Sequence, residues 1–284
     1  MEKKWTAVIK PKKKLLELNL KEVFKYRDLI DLTVKRNFKT RYKQTVLGPL
    51  WFVIQPLMSS VIHTLVFGTI AGLSTDGVPQ FLFYLLGSIS WGLFSGCLTS
   101  TSNTFVGNAG IFGKVYFPRL VTPIATVITQ MFNFLIQFAI FLGMSLIFFL
   151  SGQTFQITWV AILTPVLMLQ MALLGMGFGI IISSLTTKYR DLQVLVGFGM
   201  SLWMYLTPVI YSASAATDNL GPTLGKLIMI NPVSPVMELF KFGWLGAGST
   251  PWLYWGISWI FTIVVLFLGI IIFNKIEKNF MDTV

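Results

Sequence analysis

The chain has 284 residues, of which 54% are hydrophobic and only 12% charged, with a mean hydropathy of +0.72. A water-soluble domain carries about a quarter charged residues, and residues 120–187 contain no Asp, Glu, Lys, Arg or His, so a soluble globular class is excluded. The net charge of +11 does not mark a nucleic-acid binder, because 14 of the 22 Lys and Arg precede Gly48 and such clustering beside an apolar body is a topology signal.

The first hydrophobic stretch begins near residue 49, too far along for the apolar core of a cleavable signal. Before it, residues 19–45 are charged but periodic. Tyr26, Ile30, Val34, Phe38 and Tyr42 recur every four residues and build one apolar stripe on a helix. Asn19 with Glu22 resembles a capping box at its start, and Lys35, Arg36, Lys39, Arg41 and Lys43 supply a basic flank. Such a helix is expected to lie in the membrane interface with its cations toward anionic headgroups; docking on a soluble partner is the alternative.

About 20 apolar residues cross a bilayer core. Spans are expected at 49–71, 81–102, 120–150, 157–185, 192–211 and 252–273. This gives an all-α integral membrane fold with a 48–274 transmembrane domain, between a 1–47 N-terminal segment and a 275–284 tail. Six spans place 20 of the 22 basic residues on one side, leaving only Lys226 and Lys241 on the other, so both termini are expected in the cytoplasm. Residues 227–247 compete for a seventh span, but Asn231, Pro232, Pro235, Glu238 and Lys241 are costly at the bilayer centre. They are expected to form re-entrant helices sheltered by protein. The single cysteine, Cys97, excludes an intrachain disulfide.

Polar residues inside the spans fall in rows. Span one carries Gln55, Ser59, His63 and Phe67 at steps of four; span two carries Ser88, Trp91, Ser95, Thr99 and Ser102; span five carries Gln193, Gly197, Ser201 and Tyr205. Lipid has no use for such rows, so they either bond neighbouring helices or line a water-accessible path. Ion and proton pathways carry intramembrane acids and bases. These rows hold amides, hydroxyls, one imidazole and aromatic rings, a combination suited to sugars, whose CH faces stack on rings while their hydroxyls bond nearby. His63 lines such a path or satisfies a helix partner. Trp159, Trp252, Trp255 and Trp259 are expected in interfacial belts.

No P-loop spacing, HExxH or GxSxG is present. An intramembrane enzyme would need acids from Asp76, Asp191, Asp218 and Glu238, which the topology divides between two sides. A secondary carrier would need coupling-ion residues, which the charge-free 120–187 stretch does not offer. Energy for transport is therefore expected from a separate ATP-hydrolysing subunit docked on the short cytoplasmic loops.

Several segments, in order, resemble ABC-type polysaccharide exporter permeases. They are Arg41-Tyr42-Lys43-Gln44-Thr45-Val46-Leu47-Gly48-Pro49-Leu50-Trp51 with Gln55-Pro56, Gly107-Asn108 with Lys114-Val115-Tyr116-Phe117-Pro118-Arg119, Lys188-Tyr189-Arg190-Asp191, Thr207-Pro208-Val209-Ile210-Tyr211, and Asn231-Pro232. The family exports lipid-linked O-antigen, teichoic acid or capsule, and the likeness is greatest to the O-antigen type. The resemblance implies a non-enzymatic channel subunit of the bacterial inner membrane. It would pair with a second copy of itself and with two ATP-binding cassette subunits, which hold the ATP and Mg; this chain binds no cofactor, metal or nucleic acid. The cargo would be an undecaprenyl-linked polysaccharide in contact with membrane lipid. Channel-lining roles are expected for Gln55, Ser59, Trp91 and Ser201 from the polar rows, and the resemblance implies them for His63, Phe67 and Tyr205. ATPase coupling would fall to Asn108, Lys114, Tyr116, Phe117, Pro118, Arg119, Lys188, Arg190 and Asp191, and an external gate to Asn231, Pro232 and Pro235.

Overall fold

The computed structural model describes residues 20–42, 48–112, 114–115, 117–189 and 191–279. Asn19, residues 43–47, Tyr116 and Arg190, which entered the expectations above, lie outside the described residues. The architecture is all-α and multi-spanning.

Two helices, α1 (Leu20–Lys25) and α2 (Arg27–Tyr42), occupy the expected 19–45 helix, with a turn between them at Tyr26. The apolar stripe of α2 turns inward: Val34 is buried, Phe38 meets Phe132 edge-on at 6.1 Å, and Asn37 Nδ2 donates to Thr129 Oγ1 at 3.5 Å. Phe132 and Thr129 belong to α6 (Val121–Leu150), so α2 rests on that helix.

Five helical stretches are long and apolar enough to cross a membrane: Trp51–Ile70, Gln80–Ser102, Val121–Leu150, Trp159–Thr186 and Trp252–Ile276. The first is α3 (Trp51–His63) continued by a π-helical turn, Thr64–Ile70. The second is α4 (Gln80–Ser102); α5 (Thr104–Phe112) follows it and α6 is the third. The fourth is a 3-10 turn continued by α7 (Thr164–Thr186), and the fifth lies within α12 (Trp252–Asn279).

The fifth expected span is α8 (Leu192–Tyr205), shorter than the expected 192–211. Fourteen helical residues reach about 21 Å, less than the roughly 30 Å hydrocarbon core. The helix stops because Thr207 precedes Pro208, and the residue before proline is pushed out of the helical region. Beyond it, α9 (Ala213–Leu220), α10 (Pro222–Ile230) and α11 (Ser234–Leu245) are short, and residues 227–247 are broken between α10 and α11 at Asn231. Neither α10, with 9 residues, nor α11, with 12, is long enough to span.

The core sits around α4, which buries residues on every side. Helix α7 approaches it through glycine: a Cβ on Gly175 would fall 2.7 Å from Cys97 Cβ, and one on Gly179 2.6 Å from Thr101 Cβ. On its other face, Gly177 meets α12 just as closely, with a Cβ 3.1 Å from Leu266 N. This is small-residue packing of the kind that holds helices together in lipid, where the hydrophobic effect does not drive association. Trp255, expected at an interface, instead turns inward and donates its indole N–H to Gln170 Oε1 at 2.8 Å, while Gln170 Nε2 donates to Ser258 Oγ.

Candidate functional site

The α3, α4, α6 and α8 walls enclose a cavity of about 480 Å³, within the range of small-ligand sites. Helix α3 contributes Phe52, Gln55, Pro56 and Ser59, and α8 contributes Gly197, Met200, Ser201 and Met204. From α4 come Ser88, Trp91, Gly92, Ser95, Gly96 and Thr99. Helix α6 adds Gln130, Asn133, Phe134 and Gln137. Among the described residues, no ionisable side chain lines it. Three of the polar rows read from the sequence therefore converge on one space. The fourth wall, on α6, was not read as a row, although its amides recur at steps of three and four.

Of the expected channel residues, Gln55, Ser59, Trp91 and Ser201 line this cavity. His63 lies beside it: its Nδ1 is 3.3 Å from Ser88 Oγ, and its ring is 5.8 Å from that of Phe67 and 6.2 Å from that of Tyr84. The imidazole thus has a helix partner, Ser88, that itself lines the cavity. His63 is also where α3 passes into the π-helical turn, a widened geometry that recurs at functional sites. Phe67 packs against the core, whereas Tyr205 stands exposed at the end of α8, outside the cavity lining.

The residues expected to couple to an ATPase gather at the end of the bundle where α4, α7 and α12 finish. Phe112 packs against Phe105 and Phe117, and Phe105 stacks on Phe273 at 4.5 Å. Pro118 and Arg119 are buried, with the Arg119 guanidinium 5.5 Å above the Phe112 ring, a cation–π contact. Asn108 turns its amide back to Thr104 O within α5. Lys114, Lys188 and Asp191 are exposed. The expected set therefore divides into residues that shape this surface and residues that present charge on it.

At the opposite end a charged cluster forms that the sequence did not announce. Lys241, fully buried in α11, donates its ammonium to Pro208 O at 2.6 Å and Tyr211 O at 2.8 Å, and lies 3.9 Å above the Phe83 ring. Glu238, one turn earlier and also buried, accepts from the N–H groups of Ala213 and Ser249, both at 3.3 Å. Asp76 adopts φ +56 and accepts from Ser212 Oγ, Ser214 Oγ and Gly248 N at 2.9–3.0 Å. Asp76 and Glu238, two of the acids an enzyme would have needed, thus do meet around Gly248, but their oxygens are occupied by protein donors. The junction before α11 is tied in the same manner. Asn231 Oδ1 accepts from Trp203 Nε1, its Nδ2 donates to Thr207 Oγ1, and Pro232 O accepts from Ser258 Oγ. Pro235 is buried in the first turn of α11.

Among the described residues, no three His, Cys, Asp or Glu side chains are grouped to hold a metal ion. Residues 29–245, which contain all four cavity walls, match the ABC-2 type transporter family. The chain belongs to that family. This ABC-2 type chain is also similar to curated relatives along most of its length. It is 27% identical over 256 residues to the O-antigen export system permease protein RfbA of Klebsiella pneumoniae, covering 90% of this chain and 94% of the relative. The protein of the same name from Myxococcus xanthus is 27% identical over 222 residues, covering 78% and 82%. The polysialic acid transport protein KpsM of Escherichia coli is 23% identical over 251 residues, covering 87% and 93%.

Proposed function

We propose that this chain is the membrane-spanning permease of an ATP-driven exporter of an O-antigen-like, lipid-linked polysaccharide. The observation that carries this reading is the cavity. It offers amides, hydroxyls and aromatic faces without one ionisable group, in a chain related along 90% of its length to a protein named as an O-antigen export permease. An uncharged, hydrogen-bonding and aromatic wall suits a neutral glycan and not an ion.

Two copies of the chain would form the path, with α3 and α8 of each turned toward it. Both helices expose apolar side chains, among them Met58 and Ile62 on α3, with Leu65 on the π-helical turn that continues it, and Leu195, Phe198 and Leu202 on α8, a surface that a second copy and lipid would cover. The six-crossing topology is retained, with α8 and the non-helical stretch after it making the fifth crossing and α10 and α11 re-entering from the outer side. Both termini would face the cytoplasm, by the basic residues of 1–47 and the loops. The exposed Lys114, Lys188 and Asp191 would then meet two ATP-binding subunits, while Phe117, Pro118 and Arg119 hold the shape of that contact.

The reading is tested in cells from which the gene is removed. Lipid-linked glycan should accumulate on the inner side and surface glycan should disappear, with both restored by the wild-type gene. Unchanged surface glycan in the deletion strain would overturn it.

A further inference from the structure

The α6 wall of the cavity is built from amides that the bundle leaves incompletely bonded. Gln130, Asn133 and Gln137 share one face of α6 by their spacing. Opposite them, α4 presents Gly92 and Gly96. A Cβ on Gly96 would lie 3.2 Å from the Gln130 amide, and one on Gly92 would lie 4.0 Å from Gln137 Oε1. The two glycines therefore leave room on α4 for amides that a larger residue would crowd.

Those amides bond one another in a chain that does not close. Asn133 Nδ2 donates to Gln130 Oε1 at 2.8 Å, and Gln130 Nε2 donates to Ser100 Oγ at 2.8 Å. Asn133 Oδ1 accepts nothing, although the residue is only 6% exposed. The Gln137 amide and the indole N–H of Trp91, itself 7% exposed and on the same cavity, have no hydrogen-bond partner among the described residues. A buried polar group without a partner costs about 1–3 kcal/mol. If packing were the only requirement, leucine would serve better at 133 and 137.

We infer that the α6 amides form a sugar-unit subsite within each protomer. The Gln137 amide bonds one glycan hydroxyl, the Trp91 indole N–H donates to another, and the faces of Trp91 and Phe52 contact the ring, while Asn133 holds Gln130 in place from behind. The donor and acceptor mixture fits a neutral hydroxylated ring. A phosphate would require a cation, and no Lys, Arg or His lines this space. The inference rests on the polysaccharide reading above and adds to it a position at which the polymer is gripped rather than merely passed.

The test is made in whole cells carrying the full transporter. A photo-crosslinking residue replaces Gln137 or, separately, Ser201, and export is halted by vanadate at the ATP-hydrolysing partner. In parallel, surface glycan is measured for Gln137→Leu and Asn133→Leu, with membrane level and partner co-purification as folding controls. The subsite predicts glycan cross-linked from position 137 and export reduced about tenfold in Gln137→Leu, the order of one lost hydrogen bond, with assembly unchanged. Asn133→Leu should act likewise; if it fails to accumulate, the Gln137 arms decide. Cross-linking from 201 but not from 137, with wild-type export by Gln137→Leu, would mean that ordered water alone occupies the amides. That result overturns the subsite and leaves the exporter reading standing. Glycan at neither position, together with unchanged surface glycan in the deletion strain, overturns both.

Discussion

Two groups of polar side chains in this molecule are handled in opposite ways. Around Lys241, Glu238 and Asp76 the groups are charged, and their atoms are met by protein: carbonyls for the ammonium, N–H and O–H donors for the carboxylates. In the cavity the groups are neutral, yet Asn133 Oδ1, the Gln137 amide and the Trp91 N–H are left open. Buried charge met by protein donors and acceptors holds a fold together. Neutral groups left unpaired are costly to the fold and useful to a ligand. The clasp of Lys241, Glu238 and Asp76 thus suits a structural role, and the cavity the transport role proposed above.

The contrast is broken most forcefully at Lys241. Lys241→Met leaves the carbonyls of Pro208 and Tyr211 without their donor. The expected cost is about 1–3 kcal/mol for each buried group left unpaired, read as loss of the protein from the membrane or a lowered melting temperature in detergent. Wild-type accumulation of this variant would remove the clasp from its structural role.

The cavity should respond in the reverse sense. A Cβ on Gly197 meets nothing within 4 Å, so a side chain can start there, and Gly197→Phe places its ring at the cavity wall. Export should fall several-fold while the melting temperature holds; unchanged export would detach the cavity from transport. At the other end, Lys114→Glu should weaken co-purification of the ATP-hydrolysing subunit without affecting folding. Arg119→Ala should act through the fold instead, because its guanidinium is committed to Phe112. Equal behaviour of the two would refute that division. The smallest effect is expected from Tyr205→Ala, which slows export and leaves assembly intact, since the side chain is exposed beyond the cavity.

Much of this was legible in the sequence because membranes impose coarse rules. Hydropathy located the long helices to within a few residues, and the row periodicity gathered Gln55, Ser59, Trp91 and Ser201, which do share one space. The early end of α8 was also written locally, in Thr207-Pro208. The amides of α6 were missed because Gln130, Asn133 and Gln137 alternate steps of three and four within a run that drew notice only for its lack of charge. The meeting of Asp76 with Glu238 depends on the α3–α4 loop reaching the end of α11, a contact between distant segments that no local pattern encodes. Arg119 was grouped with Lys114 because charge is visible in a sequence and burial is not.

The central claim, that glycan occupies this cavity, is most directly tested by thiol labelling. The native Cys97 is fully buried, and a buried thiol is inert to reagents, so Ser201→Cys supplies a reporter inside the cavity and Gln153→Cys one in the exposed loop after α6. The account predicts that membranes loaded with lipid-linked glycan protect Ser201→Cys from a small polar reagent and leave Gln153→Cys labelling unchanged. Equal labelling of Ser201→Cys with and without glycan would contradict it.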